Sequence, residues 1–204
     1  MILIVNDDGY DSKPLHLLYD YCKGIDDEVR MVVPSEDKSG IGNYFSNTRT
    51  FKPEAIDEGY VLDGTPVDCV RYALSEYSPD LIISGINRGY NLGWETLLHS
   101  GTFMGAREGY LNDIKSLSCS VDYHKTPSRR TIQRTLDKTL EVSFGLANLN
   151  IISSKIYGTK PCPSIYAHVF DGDRFQLNQK TNYEEGTDGH VIFELNKSSL
   201  TIIR

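Results

Sequence analysis

The chain opens with a continuous apolar run, residues 1 to 5, and a second apolar run covers Val29 to Val33 before Pro34 ends it. Runs this short, with no polar alternation, predict strands buried on both faces. Between them Leu15, Leu18, Tyr19 and Cys22 recur at helical spacing, and Gly24 closes the helix they predict. Residues 35 to 50 carry Ser, Gly and Asn without a period and are expected to form a long loop. Tyr60 to Leu62 predicts a short strand. TPVDCVRYALSE predicts a helix capped by Thr65, with Pro66 in its first turn and Asp68 at its positive end.

The pattern then repeats. Asp80 to Ser84 (DLIIS) predicts a buried strand, followed by a glycine-rich loop and a helix from about Thr102 to Tyr110. Ser116 to Val121 predicts another core strand. Ser128 is placed to cap a long helix bearing Ile132, Leu136, Leu140 and Phe144. After about residue 150 the texture becomes hairpin-like: SIYAHVF, the turn DGD and RFQL, then VIFEL, NK and SSLTII. No internal repeat stands out. Alternating strands and helices predict an α/β fold, a doubly wound, mostly parallel sheet of Rossmann-like type with a C-terminal β-hairpin extension. Residues 1–150 are expected to form the catalytic core. Residues 151–204 are expected to form a strand-rich extension packing on the core or on a partner subunit, within one domain overall.

Composition narrows the chemistry. The 204 residues carry a net charge of -7, which disfavours a nucleic-acid polymer as partner but permits one small phosphate ester held by a metal. No apolar run is long enough to span a bilayer, and no charged-then-apolar leader is seen, so a cytoplasmic protein without a membrane partner is expected. The four cysteines, Cys22, Cys69, Cys119 and Cys162, are scattered and read as reduced, packed thiols.

Two adjacent acids, Asp7 and Asp8, stand where the first strand ends, on the rim at which such sheets bind ligands. Two carboxylates at one spot are costly unless a cation joins them or one is protonated. Hard oxygen donors suit Mg²⁺ or Mn²⁺, and Gly9 lets the backbone bend so that both acids face one ion. Ser39 and Asn87, in loops after later strands, offer neutral oxygen ligands, and without a His or Cys cluster zinc is disfavoured. HSGTFMGAREG, residues 99 to 109, opens a helix with small residues, so Ser100, Thr102 and backbone N–H groups can face an anion.

NDDG at 6–9, SG at 39–40, DGTPVDCV at 63–70, SGINRGYNLG at 84–93 and SGT at 100–102 together resemble, in order, the SurE survival-protein 5'-nucleotidases. The resemblance is close over roughly the first 120 residues, and the tail TDGHVIFELNKSSLTII looks like the family's closing strand. It implies metal-dependent hydrolysis of nucleoside monophosphates, with Mg or Mn as cofactor, and action on 3'-nucleotides or short polyphosphate as well. It also implies a homodimer or homotetramer. Position by position, Asp7, Asp8, Ser39 and Asn87 match the metal ligands, with Asp7 or Asp8 also acting on the attacking water. Asn91, Ser100, Gly101 and Thr102 match the phosphate side. Asn6, Gly40, Tyr90 and His99 are expected to support the site or contact the base, and Trp94 flanks its loop. The chain is shorter than the family pattern after the long helix, and His99 stands where the family more often has Tyr. A relative that binds nucleotide or phosphate without cleaving it is the alternative. Adjacent acids rule against a D-x-D phosphatase, and Ser84 and Gly85 stand where a receiver domain needs its phosphoacceptor Asp.

Overall fold

The computed structural model describes residues 1–163, 166–171, 174–179 and 183–203. Its centre is a nine-stranded sheet. The first apolar run forms β1 (Ile2–Val5), every residue of it buried. It pairs in parallel with β2 (Val29–Pro34) on one side and with β5 (Leu81–Arg88) on the other. Beyond β2 lie β4 (Gly59–Leu62) and the antiparallel edge strand β3 (Glu54–Ile56). Beyond β5 lie β6 (Lys115–Val121) and β7 (Leu146–Ile151), both parallel. Then β11 (Ser198–Ile203) pairs antiparallel with β7 and parallel with β8 (Ile156–Thr159). The order is β3-β4-β2-β1-β5-β6-β7-β11-β8. The expected α/β, mostly parallel architecture is therefore observed, and strands from beyond residue 150 complete its far edge. A separate antiparallel pair, β9 (Tyr166–Asp171) with β10 (Arg174–Gln179), matches the first expected hairpin. Residues 172 and 173 of its expected DGD turn lie outside the described residues.

Helices cover both faces, as a sheet this apolar requires. On one face α1 (Lys13–Lys23) and α5 (Arg129–Leu140) contribute Leu15, Leu18, Ile132 and Leu136 to a core with Ile4, Met31, Leu117 and Leu149. On the other, α2 (Pro66–Glu76) adds Cys69, Val70 and Ala73 to Leu3, Val5 and Ile82. Thr65 caps α2 in a capping box: it accepts from Asp68 N, and the Asp68 carboxylate accepts from Thr65 N at 3.0 Å. A second helix on this face, α4 (Gly101–Tyr110), has glycine at every fourth position, and Gly105 and Gly109 meet strand residues Ser84, Ile82 and Ser116. A β-carbon on Gly109 would stand 2.6 Å from Ser116 Oγ and 2.4 Å from Ile82 Cδ1. The glycines thus let this helix lie directly on the strands.

Four expectations need correction. The chain after Ser84 is not all loop: β5 continues to Arg88 through an irregularity between Ser84 and Asn87, and a further helix, α3, spans Gly93–His99. VIFEL is not a strand. His190–Glu194 form a π-helical turn, started by Thr187, whose carbonyl accepts from Val191 N at 3.0 Å. Neighbours Val191 and Ile192 are both buried, a helical rather than an alternating pattern. The long helix ends at Leu140, short of Phe144, which still packs on the core with Lys115 Nζ 4.3 Å above its ring. Finally, β3, β7 and β8 were not anticipated as strands. All four cysteines are free and buried, and no helix among the described residues is long and apolar enough to cross a membrane.

Candidate active site

The chain leaves β1 toward β2 on one side, while β5 lies on the other, so the strand order reverses between β1 and β5. Doubly wound sheets bind ligands at the carboxyl ends of strands beside such a reversal. Asp7 and Asp8 follow β1 directly, and Asn87 lies at the end of β5. Gly9, with φ of +84°, turns the chain away while its Cα passes close to the Glu36 backbone, where a β-carbon would sit 3.1 Å from the carbonyl carbon. Lys38 N donates to Asp7 O at 2.7 Å, which docks the loop after β2 onto the acids. Ser39 lies in this loop, its own N–H donating to Asp37 Oδ1 at 2.8 Å.

These groups share one cleft of about 400 Å³. Asp7, Ser39, Asn87, Asn91 and Ser100 line it, with Gly40, Tyr90 and His99 at its walls. Glu95 and Thr96 of α3 also line it and were not expected to, since the segment read as loop. The remaining candidates do not line the cleft. Asp8 is half-buried and accepts from Arg88 N at 3.3 Å, which ties the end of β1 to the end of β5. Thr102 is fully buried and its hydroxyl donates to Asp7 Oδ1. Gly101 abuts the same carboxylate, and a β-carbon there would stand 3.0 Å from Asp7 Oδ2. Asn6 is buried, its Nδ2 donating to Gly9 O at 2.7 Å. Trp94, half-exposed on α3, faces a different cavity with Leu98 and Met104. Tyr90 packs edge-on to Phe193 at 6.5 Å. Ser100 caps α4 by accepting from Phe103 N at 3.0 Å, which leaves its O–H to donate into the cleft. The positive end of a ten-residue helix therefore faces the acids.

The electrostatics of the pair are unfavourable as they stand. Burial pushes the Asp7 carboxyl above its ordinary range, opposed by the Thr102 hydroxyl. Burial, then the charge of Asp7, pushes Asp8 up to about 6. Asn6 Oδ1 beside them is buried and accepts no hydrogen bond from any described residue. Two ionisable oxygens that resist charging, an orphaned amide oxygen, and neutral oxygens on Ser39 and Asn87 form a donor set suited to a hard divalent cation. Among the described residues no group of three or more His, Cys, Asp or Glu is arranged to hold an ion.

Residues missed by the sequence reading support the cleft from beneath. Asp188 is fully buried and accepts from Gly93 N, Cys162 N and Gly189 N at 2.8–2.9 Å, binding the C-terminal segment to the start of α3. Asn148 and Asn150 hold the Asn91 main chain. The signal was present as polar residues inside an otherwise apolar segment, but Asn is depleted in strands, so the segment did not read as one.

Comparison with known proteins bears on the family and the fold. Residues 2–168 match the family profile described as Survival protein SurE. The chain is 39% identical over 152 residues to the 5'-nucleotidase SurE of Sulfurimonas denitrificans, covering 70% of this chain and 57% of that protein. It is 44% identical over 128 residues to the 5'-nucleotidase SurE of Campylobacter curvus, covering 60% and 50%. The chain thus spans about half to two thirds of the length of the curated relatives it matches. The crystal structure of the SurE protein from Aquifex aeolicus superposes with a TM-score of 0.85 at 29% identity, covering 100% of this chain and 92% of that one. Because the family profile spans residues 2–168 and the fold superposes throughout, this chain belongs to the SurE family.

Proposed function

We propose that the cleft hydrolyses nucleoside monophosphates to nucleoside and phosphate, as a metal-dependent 5'-nucleotidase. Action on 3'-nucleotides and short polyphosphate belongs to the same proposal. The observation that carries this reading is the convergence of Asp7, Ser39 and Asn87 in one cleft with Ser100 at the start of α4. Asp8, next to Asp7 in the chain and tied to the end of β5 through Arg88 N, is proposed to complete the set. Asp7, Asp8, Ser39 and Asn87 would hold a Mg²⁺ or Mn²⁺ ion, which when bound supplies charge neutralisation for the phosphoryl oxygens. The chain's own residues do the rest. The Ser100 hydroxyl, the Asn91 amide and the first-turn N–H groups at Gly101 and Thr102 orient a tetrahedral dianion, and the dipole of α4 favours its charge. Asp7 or Asp8 would orient or deprotonate the attacking water. Thr102 and Gly101 fix the Asp7 carboxylate so that the pair keeps its geometry. Tyr90 and His99 line the cleft, where they would contact a bound nucleoside.

In this proposal residues 1–150 form the catalytic core, and residues 151–204 pack on it or on a second copy of the chain in a homodimer or homotetramer, in the cytoplasm. The deciding experiment is phosphate release from adenosine and guanosine monophosphates, with Mn²⁺ and with chelator. Release that requires the ion is expected. Tight binding without release would make the protein a nucleotide sensor, and neither binding nor release would refute the reading.

A further inference from the structure

One face of β6 and β7 is built from side chains that central strands seldom carry. Ser118 and Ser120 on β6 stand level with Asn148 and Asn150 on β7, and all four are fully buried. The opposite face of the same strands is apolar, with Leu117, Cys119, Val121, Ala147, Leu149 and Ile151 in the main core. Buried amides are costly unless their hydrogen bonds are made, and they weaken a strand. Apolar residues would serve the sheet better at these positions, so the amides call for another explanation.

Their bonds converge on a single residue of the cleft. Asn150 Oδ1 accepts from Asn91 N at 2.9 Å, and Asn150 Nδ2 donates to Asn91 O at 3.0 Å. Asn148 Nδ2 donates to the same carbonyl at 2.7 Å, while Asn148 Oδ1 accepts from Ser118 Oγ at 2.8 Å. The Asn91 side chain donates from Nδ2 to Ser120 Oγ at 3.0 Å. The main-chain N–H of Asn91, its carbonyl and its amide are therefore all held by residues on two strands. Because a hydroxyl both donates and accepts, Ser120 can hold this amide with either end toward the cleft. A loop residue with no regular partners is thus as firmly fixed as a residue within a sheet.

We infer that Asn148 and Asn150 are positioning residues: two buried amides that never touch substrate but hold Asn91 where the phosphate-side wall of the cleft needs it. This rests on the reading of the cleft as a phosphoester site. Displacing a positioned group by about 1 Å costs up to about 100-fold in rate, so removal of the clamp will be visible in catalysis.

The test is a double-mutant cycle of Asn150→Ala, Asn91→Ala and the combined variant, with kcat and KM measured for adenosine monophosphate with Mn²⁺. Calorimetric binding of inorganic phosphate with Mn²⁺ is the second readout, and thermal melting confirms that each variant is folded. Asn150→Ala is expected to lower kcat/KM by about 10–100-fold. The double variant is expected to be no worse than Asn91→Ala alone, because residues acting as one unit are not additive. Asn148→Ala, which leaves the paired Asn150 bonds in place, gives the same cycle with a smaller loss and serves if Asn150→Ala does not fold. Losses that multiply in the double variant, or a folded Asn150→Ala with parental kcat/KM, would overturn the inference while leaving the activity standing. A parent protein that neither hydrolyses nucleotide nor binds phosphate overturns the functional reading and this inference together.

Discussion

Replacing Asp8 with Asn removes a charge that burial disfavours, so the metal-free protein should gain stability as it loses the function that charge serves. The Asp8 carboxyl moves from an ordinary value of 3.8 to about 6 in the fold, chiefly through burial and secondly through the charge of Asp7. That difference disfavours the ionised form by about 3 kcal/mol, and because Asp8 is only half-buried, solvent screening reduces it to about 1–2 kcal/mol. The direction with pH follows from linkage. The folded state holds this proton more tightly than the unfolded state, so below about pH 4 both are protonated and the parent bears no penalty. As pH rises through about 6 the folded carboxyl must ionise, and the penalty becomes complete. Asp8→Asn carries no such penalty at any pH. In chelator at pH 7.5 the variant should melt roughly 3–6 °C above the parent, a gap that closes as the pH is lowered toward 4. With Mn²⁺ at 100 times its dissociation constant the order should reverse, since ligand binding adds about 2.7 kcal/mol to the parent alone. Differential scanning fluorimetry at several pH values, with and without the ion, gives both comparisons. A variant melting at or below the parent in chelator at pH 7.5 would refute this reasoning.

Three further outcomes are expected. Protons compete with the cation for Asp7 and Asp8, so Mn²⁺ affinity measured by calorimetry should fall up to about tenfold per pH unit below about 6; an affinity unchanged between pH 7 and 5 would contradict that competition. Thr102→Val removes the hydroxyl that donates to Asp7 Oδ1, leaves the carboxylate more eager for a proton, and should weaken Mn²⁺ binding about 10–100-fold while lowering the melting temperature in chelator at pH 7.5. Gly85→Ala should destabilise the fold by about 2–4 kcal/mol in denaturant titration, because φ is +136° and the added β-carbon would stand 2.3 Å from the Cys119 carbonyl oxygen; a variant of parental stability would show that the strand accommodates it.

The legible parts of this chain were those where one physical pattern acted alone. The run Ile2–Val5 read as a strand because continuous apolar residues have few other homes, and Thr65 read as a cap because its hydroxyl and Asp68 act within one turn. The acid pair stood out because two adjacent carboxylates are costly unless a cation joins them or one is protonated, and because Ser39, Asn87 and the start of α4 accompany it in the sequence. The parts that failed were decided by contacts that the local apolar pattern does not carry. Val191 and Ile192 look like a strand alone, but Thr187 and Asp188 start a helical turn there. β7 was missed because Asn148 and Asn150 oppose strand formation locally, and only Asn91, more than fifty residues earlier, accounts for them. That Thr102 and Gly101, at the start of α4, also abut Asp7 was not legible, because it depends on how α4 lies on the sheet.

The most direct test is a crystal soaked in manganese, with diffraction collected at the metal's absorption edge. One anomalous peak within coordination distance of the Asp7 and Asp8 carboxylates, the Ser39 hydroxyl and the Asn87 amide oxygen is the predicted result. A peak elsewhere, or none at saturating Mn²⁺, would contradict it.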